Sequence, residues 1–331
     1  MQSHKTCVIC VSFHGSEDTA KCVESLLASV DPVCIVVVDT TPNDPDIEDA
    51  LKFAPEAVLI RTSGNLGYGN ALNLGAKWAL AHTACEFFLF LNNDAVVLPN
   101  SIGHLETAMI SDPGIGVAAP RIVCLHDASV LWYGGGEIDW RRASAYTPGF
   151  NAASDAPLAM TERDVTFASG CALFARRSAL EKLGGFDPRF FMYEEDVELC
   201  LRVRELGIRI RYIPQAVVLH RVQGSSRGPA KDRSDFWSCE NPNLAFYAFH
   251  VMRNRLVNVY SHARGWARIV ALAFFPLLIL RRMIPFILGG RHDAVVAMFR
   301  GILDSMHARR NVAPAVRENH RPVGSPNEAA E

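Results

Sequence analysis

The chain is poor in the features that would place it quickly. Its longest apolar stretch without a charge, Ile269–Leu280, is twelve residues, short of the roughly eighteen expected of a spanning helix. The first strand-like run begins about six residues after Met1, which leaves no room for a cleavable leader. No internal repeat is visible, which excludes solenoids and propellers. The early loops contain neither GxGxxG directly after the first strand nor Gly-Lys-Ser/Thr, so the dinucleotide and Walker A modes of holding phosphate are not expected. Net charge is only −2, which offers no electrostatic reason to bind nucleic acid.

Cysteine is present but unpatterned. The nine residues are scattered, odd in number and mostly inside apolar runs, which argues against a disulfide framework and for a reducing cytoplasm. Cys7 and Cys10 form a CxxC within Cys7-Val-Ile-Cys-Val11 with no second CxxC to complete a zinc site; buried strand cysteines are expected. The near-neutral charge also hides a division. From Val251 onward there are twelve Lys/Arg against five Asp/Glu, so the first 250 residues carry about −9.

What is present is an alternation of short β-branched runs with helical patterns, the signature of βαβ units around a parallel sheet. Strands are expected at Thr6–Ser12, Cys34–Val38, Ala57–Arg61 and Glu86–Leu91, and helices at Asp18–Ala28 and Asn70–His82. Residues 120–165 read as an irregular insertion. Order resumes with Val165–Ala175, a helix near Ser178–Leu183, a Gly184–Pro188 turn, a helix at Glu195–Leu206 and a strand at Ile208–Ile213.

Ligands of open α/β sheets bind at the carboxyl ends of strands, and several polar residues fall there. Strand one ends at Ser12, strand two at Asp39 and strand four in Asn92-Asn93-Asp94. Asp39 can accept from a ribose hydroxyl or base N–H, or close a turn. The loop Asn65-Leu-Gly67-Tyr68-Gly69 allows close backbone approach and opens a helix whose free N–H groups suit phosphate or ribose. Asn73 and Gly75 lie inside that helix against propensity, so a packing or contact role is expected. Asp94, at the edge of a dry core, suits Mg2+ or Mn2+ shared with phosphate oxygens, or else an Asx-turn. Glu195 and Asp196 open a helix after a Gly- and Phe-rich turn; the macrodipole alone favours acids there. His220 closes Ala216-Val-Val-Leu219, a place for a metal ligand or phosphate donor.

In order along the chain, Val11-Ser-Phe-His14, Val36-Val-Val-Asp39, Asn65-Leu-Gly-Tyr-Gly69, Leu91-Asn-Asn-Asp94, Gly170-Cys-Ala-Leu173, Gly184-Gly-Phe-Asp187, Glu195-Asp196 with Leu201-Arg202, and Pro214 with His220 resemble family-2 GT-A glycosyltransferases, especially the rhamnosyltransferase-like branch. The resemblance spans about residues 5–260, including Arg253-Asn-Arg255. It implies a Rossmann-like GT-A fold of the α/β class. It also implies that Ser12, Asp39, Asn65, Gly67, Tyr68, Asn92 and Asn93 contact a nucleotide-sugar, and that Asp94 and His220 bind the metal. Asp196 would deprotonate the acceptor, with Glu195 in reserve. Two positions depart from the family pattern. Phe13-His14 stands where Tyr-Asn is common, and Asn92-Asn-Asp94 where Asp-x-Asp is common, which shifts metal binding toward His220.

The expected protein is therefore an inverting hexosyltransferase. It would move a sugar, L-rhamnose being one candidate, from a nucleoside diphosphate to a lipid-linked or polysaccharide acceptor in cell-surface glycan synthesis. A nucleotidyltransferase is the enzyme alternative, though Val11–Gly15 has no basic residue but His14; a catalytically inactive nucleotide-sugar scaffold is the non-enzyme one. The organisation expected is a catalytic domain at 1–224, a connecting helical segment at 225–266, membrane-associated helices at 267–310 and a disordered tail at 311–331. Pro276, Pro285, Arg281 and Arg282 favour an interfacial helix or re-entrant hairpin over a straight span, which would place the enzyme at the inner face of the cell membrane; a buried helix packing on the catalytic domain is the alternative.

Overall fold

The computed structural model describes residues 4–221 and 236–308. The start of the expected connecting segment and the tail at 311–331, with Arg309 and Arg310 before it, lie outside the described residues. The strands are β1 (Thr6–Ser12), β2 (Cys34–Asp39), β3 (Val58–Arg61), β4 (Phe87–Asn92), β5 (Ala95–Val97), β6 (Ile115–Cys124), β7 (Leu131–Tyr133), β8 (Glu137–Asp139), β9 (Ser144–Tyr146), β10 (Arg163–Val165), β11 (Ala172–Arg176) and β12 (Arg209–His220). The helices are α1 (Ser16–Leu27), α2 (Ile47–Ala50), α3 (Tyr68–His82), α4 (Ser101–Ser111), α5 (Pro157–Met160), α6 (Arg177–Leu183), α7 (Glu195–Glu205), α8 (Leu244–His262), α9 (Gly265–Leu288) and α10 (His292–Ala308).

One mixed sheet runs β3-β2-β1-β4-β11-β6-β12-β10, with β5 added to β12 and β7 to β6. The β3-β2-β1-β4 half is parallel, and β11 is inserted antiparallel to both β4 and β6. Every residue of β1 is buried, as expected of a parallel strand covered on both faces. All nine cysteines are free thiols, and Cys7 and Cys10 are buried in that strand. Helix α3 reaches the sheet because Gly75 has no side chain: a Cβ there would lie 2.5 Å from Ile9 Cγ2. Its neighbour Asn73 exchanges two 2.8 Å hydrogen bonds with the Phe186 backbone, accepting from N–H and donating to C=O. Both residues thus do packing work, and the second pins the 184–187 turn over α3.

The structure corrects the expected pattern in three places. Residues 120–165, expected to be irregular, hold the end of β6 and the short elements β7, β8, β9, α5 and β10. β12 runs unbroken past Pro214 through a register shift between Ile213 and Val217. Finally, 265–288 is neither a hairpin nor a broken segment but one helix with Pro276 and Pro285 inside it. By length and composition alone its 24 residues would reach across a membrane. Arg282 is stacked 4.6 Å over the Trp237 ring rather than extended into solvent.

The C-terminal helices are bound into the body. α8 packs on α10, where the backbone of Gly301 presses against Phe249 and Arg253 Nε donates to Asp304 at 2.6 Å. α9 buries only Ala271, Phe275 and Phe286. The outer face of α9 leaves Ile269, Leu277, Leu280, Ile284 and Ile287 exposed, and α10 adds Val296, Phe299, Leu303 and Met306. Leu277 to Ile287 and Val296 to Met306 recur at three- and four-residue spacing, with Ile269 about two turns before Leu277, so each set forms a helical stripe.

Candidate active site

A cavity of about 360 Å³ opens at the carboxyl edge of the sheet. The end of β4 with Asn92, Asn93 and Asp94, and His220 beside them, form its floor, and the loop Asn65–Tyr68 and the neighbouring pair Glu195–Asp196 line the wall. Trp132, Tyr193, Phe236 and Tyr247 supply aromatic surface. Seven of the nine donor and metal residues expected from sequence, and both acids, therefore line one space. Ser12 and Asp39 do not. Ser12 is fully buried and its hydroxyl accepts from Thr19 Oγ1 at 3.0 Å. Asp39 is fully buried too, and its Oδ1 accepts the Thr41 N–H at 3.0 Å. That is the Asx-turn option; Asp39 Oδ2 is left without a hydrogen-bond partner, so one acceptor remains.

The Asn65–Tyr68 wall is held from two directions. Asn65 Oδ1 accepts the Gly67 N–H at 2.9 Å, and Phe191 O accepts the Tyr68 N–H at 2.8 Å. Gly67 has φ +79°, and a Cβ there would overlap the Phe191 carbonyl, so glycine is required for both conformation and space.

At the floor, Asp94 Oδ1 lies 3.1 Å from His220 Nε2, and Asn92 Nδ2 lies 3.4 Å from the same nitrogen. Two ligands at cis positions of an octahedral ion with bonds of about 2.1 Å are separated by about 3 Å, so the spacing fits a shared Mg2+ or Mn2+. Among the described residues no group of three His, Cys, Asp or Glu forms a closed metal cage. Burial would lower the His220 pKa, but Cys171 and Asp94 beside it reverse that and hold it well above the usual histidine range.

At the other end, Asp196 Oδ2 accepts the Gly170 N–H at 2.8 Å, and Oδ1 accepts its neighbour Val197 N–H. Burial raises its pKa to about 6 against those bonds, with Glu194 adding to the rise. Glu195 is more deeply buried and its Oε2 has no partner. Burial first, then the Asp196 charge, push its pKa well above the carboxylate range. Of the two acids, Glu195 thus holds its proton the more tightly and Asp196 is the more readily ionised.

The approach to this pair is strained. Tyr193 and Glu194 both have φ +66°, a left-handed conformation costing roughly 1–2 kcal/mol per non-glycine residue. Sequence gave no sign of it. Trp132, inside the stretch expected to be irregular, and Phe236 and Tyr247, beyond the expected catalytic boundary, were equally unforeseen as lining. Among them only Trp132-Tyr-Gly-Gly-Gly carried a signal, a glycine run beside aromatics.

With this geometry in view, the comparisons agree. Residues 7–184 match the model of glycosyl transferase family 2. An N-acetylglucosaminyl-diphospho-decaprenol L-rhamnosyltransferase of Mycobacterium tuberculosis is 32% identical over 241 residues, covering 67% of this chain and 78% of that protein. Among solved structures, the mannosyltransferase PcManGT from Pyrobaculum calidifontis, in complex with GDP-Man and Mn2+, superposes with a TM-score of 0.54 at 14% identity, covering 92% of this chain and 88% of that one. GalNAc-T7 with UDP, GalNAc and Mn2+ gives 0.54 at 17% identity over 82% of this chain, which spans 55% of that protein. The fold is GT-A. The chain belongs to glycosyl transferase family 2 and is a glycosyltransferase, which removes the nucleotidyltransferase alternative.

Proposed function

We propose that the enzyme is an inverting rhamnosyltransferase. It would transfer L-rhamnose from a nucleoside-diphosphate donor to a lipid-linked glycan, as the name of its mycobacterial relative suggests. The observation that carries the mechanism is the placement of an ionisable Asp196 and the Asp94–His220 pair in one cavity. Asp196 accepts the proton of an acceptor hydroxyl while that oxygen forms its bond to the anomeric carbon. The bond from that carbon to the diphosphate breaks, and its electron pair leaves with the nucleoside diphosphate. Attack opposite the leaving group inverts the centre. Glu195, which holds its proton more tightly, is not needed in this step.

Asp94 and His220 would hold Mg2+ or Mn2+, and such an ion, when bound, neutralises charge on the departing diphosphate. The Asn65–Gly67 backbone, Tyr68, Asn92 and Asn93 line the donor side, and Asp39 Oδ2 is a further acceptor behind it. The apolar stripes on α9 and α10, with Arg264, Arg281 and Arg300 exposed beside them, support peripheral attachment to the cytoplasmic face of an anionic membrane. Thermal protection by a panel of nucleotide-sugars, with and without Mn2+, followed by transfer to an N-acetylglucosaminyl-diphospho-polyprenol, tests this reading. Protection by a rhamnose donor with no transfer would instead favour the inactive scaffold.

A further inference from the structure

The left-handed pair Tyr193–Glu194 stands immediately before the acidic pair of α7, and a different helix holds it there. Asn254 of α8 is fully buried, and its Nδ2 donates to two consecutive carbonyls, Met192 O at 3.0 Å and Tyr193 O at 2.7 Å. One turn on, the buried Asn258 Nδ2 donates to Glu194 O at 3.3 Å. Between them Arg255 Nε donates to Glu194 Oε1 at 2.9 Å, while Ser144 Oγ donates to the same carboxylate at 2.6 Å. Positions 254, 255 and 258 lie on one face of a helix. Three successive carbonyls, 192 to 194, are thus each gripped by a side-chain amide. These bonds do what local backbone preference opposes: they fix a conformation that non-glycine residues avoid.

We infer that Asn254, Arg255 and Asn258 are positioning residues for transfer: they hold the 192–194 backbone and the Glu194 charge so that α7 begins with Asp196 facing the cavity. The inference rests on the reading of Asp196 as the base. Asn254 and Asn258 act on geometry. Arg255 acts on charge as well, because Glu194 is among the groups that disfavour ionisation of Asp196. The titratable groups facing Asp196 are Glu194 and Glu195 from its own segment, Cys200 a turn further on and Tyr68 from α3. Against this acidic set, Arg255 brings a positive charge onto Glu194 from α8.

The test measures kcat, donor KM and the pH profile of kcat in the full-length enzyme. Arg255→Ala exposes the Glu194 charge, so the acidic limb should move to higher pH by about half a unit to one unit. Arg255→Lys should restore the limb while recovering only part of kcat, since one ammonium does not reproduce the guanidinium geometry. Asn254→Leu, similar in volume but unable to donate, should lower kcat about tenfold or more with donor KM within about twofold. A folded Asn254→Leu with wild-type kcat, or an Arg255→Ala whose limb does not move, overturns the inference. Asp196→Asn run in parallel separates the two claims. If it is active, the base reading fails; if it is inactive while the α8 variants behave as wild type, only the positioning role falls.

Discussion

Tyr68 and Asp196 are joined through a single residue, Gly170. The Tyr68 hydroxyl donates to the Gly170 carbonyl at 2.7 Å, and the Gly170 N–H donates to Asp196 Oδ2 at 2.8 Å. Burial pushes the Tyr68 phenol well above its usual pKa, so it remains a donor throughout the working pH range. The loop that walls the donor side and the acid assigned to the acceptor side are therefore parts of one hydrogen-bonded chain.

Replacing the base is the most direct probe. Asp196→Asn should lower kcat by roughly 10²–10⁴-fold, the range for loss of a general base, with donor affinity little changed. In the wild type, kcat/KM should fall as pH drops through about 6, where Asp196 takes up its proton. Retention of more than about a tenth of the turnover would move the role elsewhere.

Stability should carry a matching signature. A carboxyl raised from 3.8 to about 6 on folding holds its proton more tightly folded than unfolded. Its favourable contribution is present below the unfolded pKa and is lost as pH rises through about 6. Wild-type stability should therefore decline between about pH 4 and pH 7, by up to about 3 kcal/mol. Asp196→Asn does not titrate and should flatten that decline, whatever its own Tm after losing one of two N–H acceptors. An unchanged slope in the variant would contradict the burial argument.

Asp94→Ala should weaken donor binding and remove its dependence on divalent ions, with His220→Ala a milder form of the same defect. Titration calorimetry of donor with and without Mn2+ would show it. Undiminished wild-type activity in excess chelator would take the ion out of the reaction.

Gly67→Ala tests the donor wall. The new methyl group meets the Phe191 carbonyl at a φ that alanine resists, and such crowding costs about 1–3 kcal/mol. Donor KM should rise and Tm fall together. Normal binding in this variant would mean that the loop does not need its observed path.

Liposome flotation addresses the α9–α10 face. The intact chain should float with anionic vesicles at low salt. It should bind less strongly, without release, at high salt, because screening reaches the basic residues and not the apolar stripes. A chain that stays in the supernatant at low salt would refute membrane attachment.

Much of this was legible in advance, and for identifiable reasons. β1, β2 and β4 announce themselves because parallel strands buried on both faces must be continuously apolar, β3 at the sheet edge reads from its β-branched run although it is only half-buried, and Asn73 and Gly75 stood out because a helix would not choose them without a contact. What escaped depends on contacts distant in sequence. The helix Gly265–Leu288 continues through Pro276 and Pro285, although each removes one N–H from its ladder. Asp39 was placed correctly at a strand end, yet its carboxylate first serves its own turn. The left-handed step at Tyr193–Glu194 carries no glycine to mark it, since its conformation is imposed by Asn254 and Asn258, some sixty residues away.

The reversal of β11 has a consequence for how the enzyme can vary. Because β11 runs against β4, its beginning lies beside the end of β4, where the Cys171 carbonyl accepts the Asn92 N–H at 2.9 Å. Gly170, and with it Asp196, is thereby counted off against Asp94 in rungs of a β-ladder. A slip of one residue would turn every β11 side chain to the wrong face, and a slip of two would shift Gly170 by about 7 Å. On the proposed roles, the span between the departing diphosphate and the proton acceptor is therefore quantised. Loops around the rim can lengthen or shorten to suit other acceptors, while the gauge of the reaction itself stays fixed.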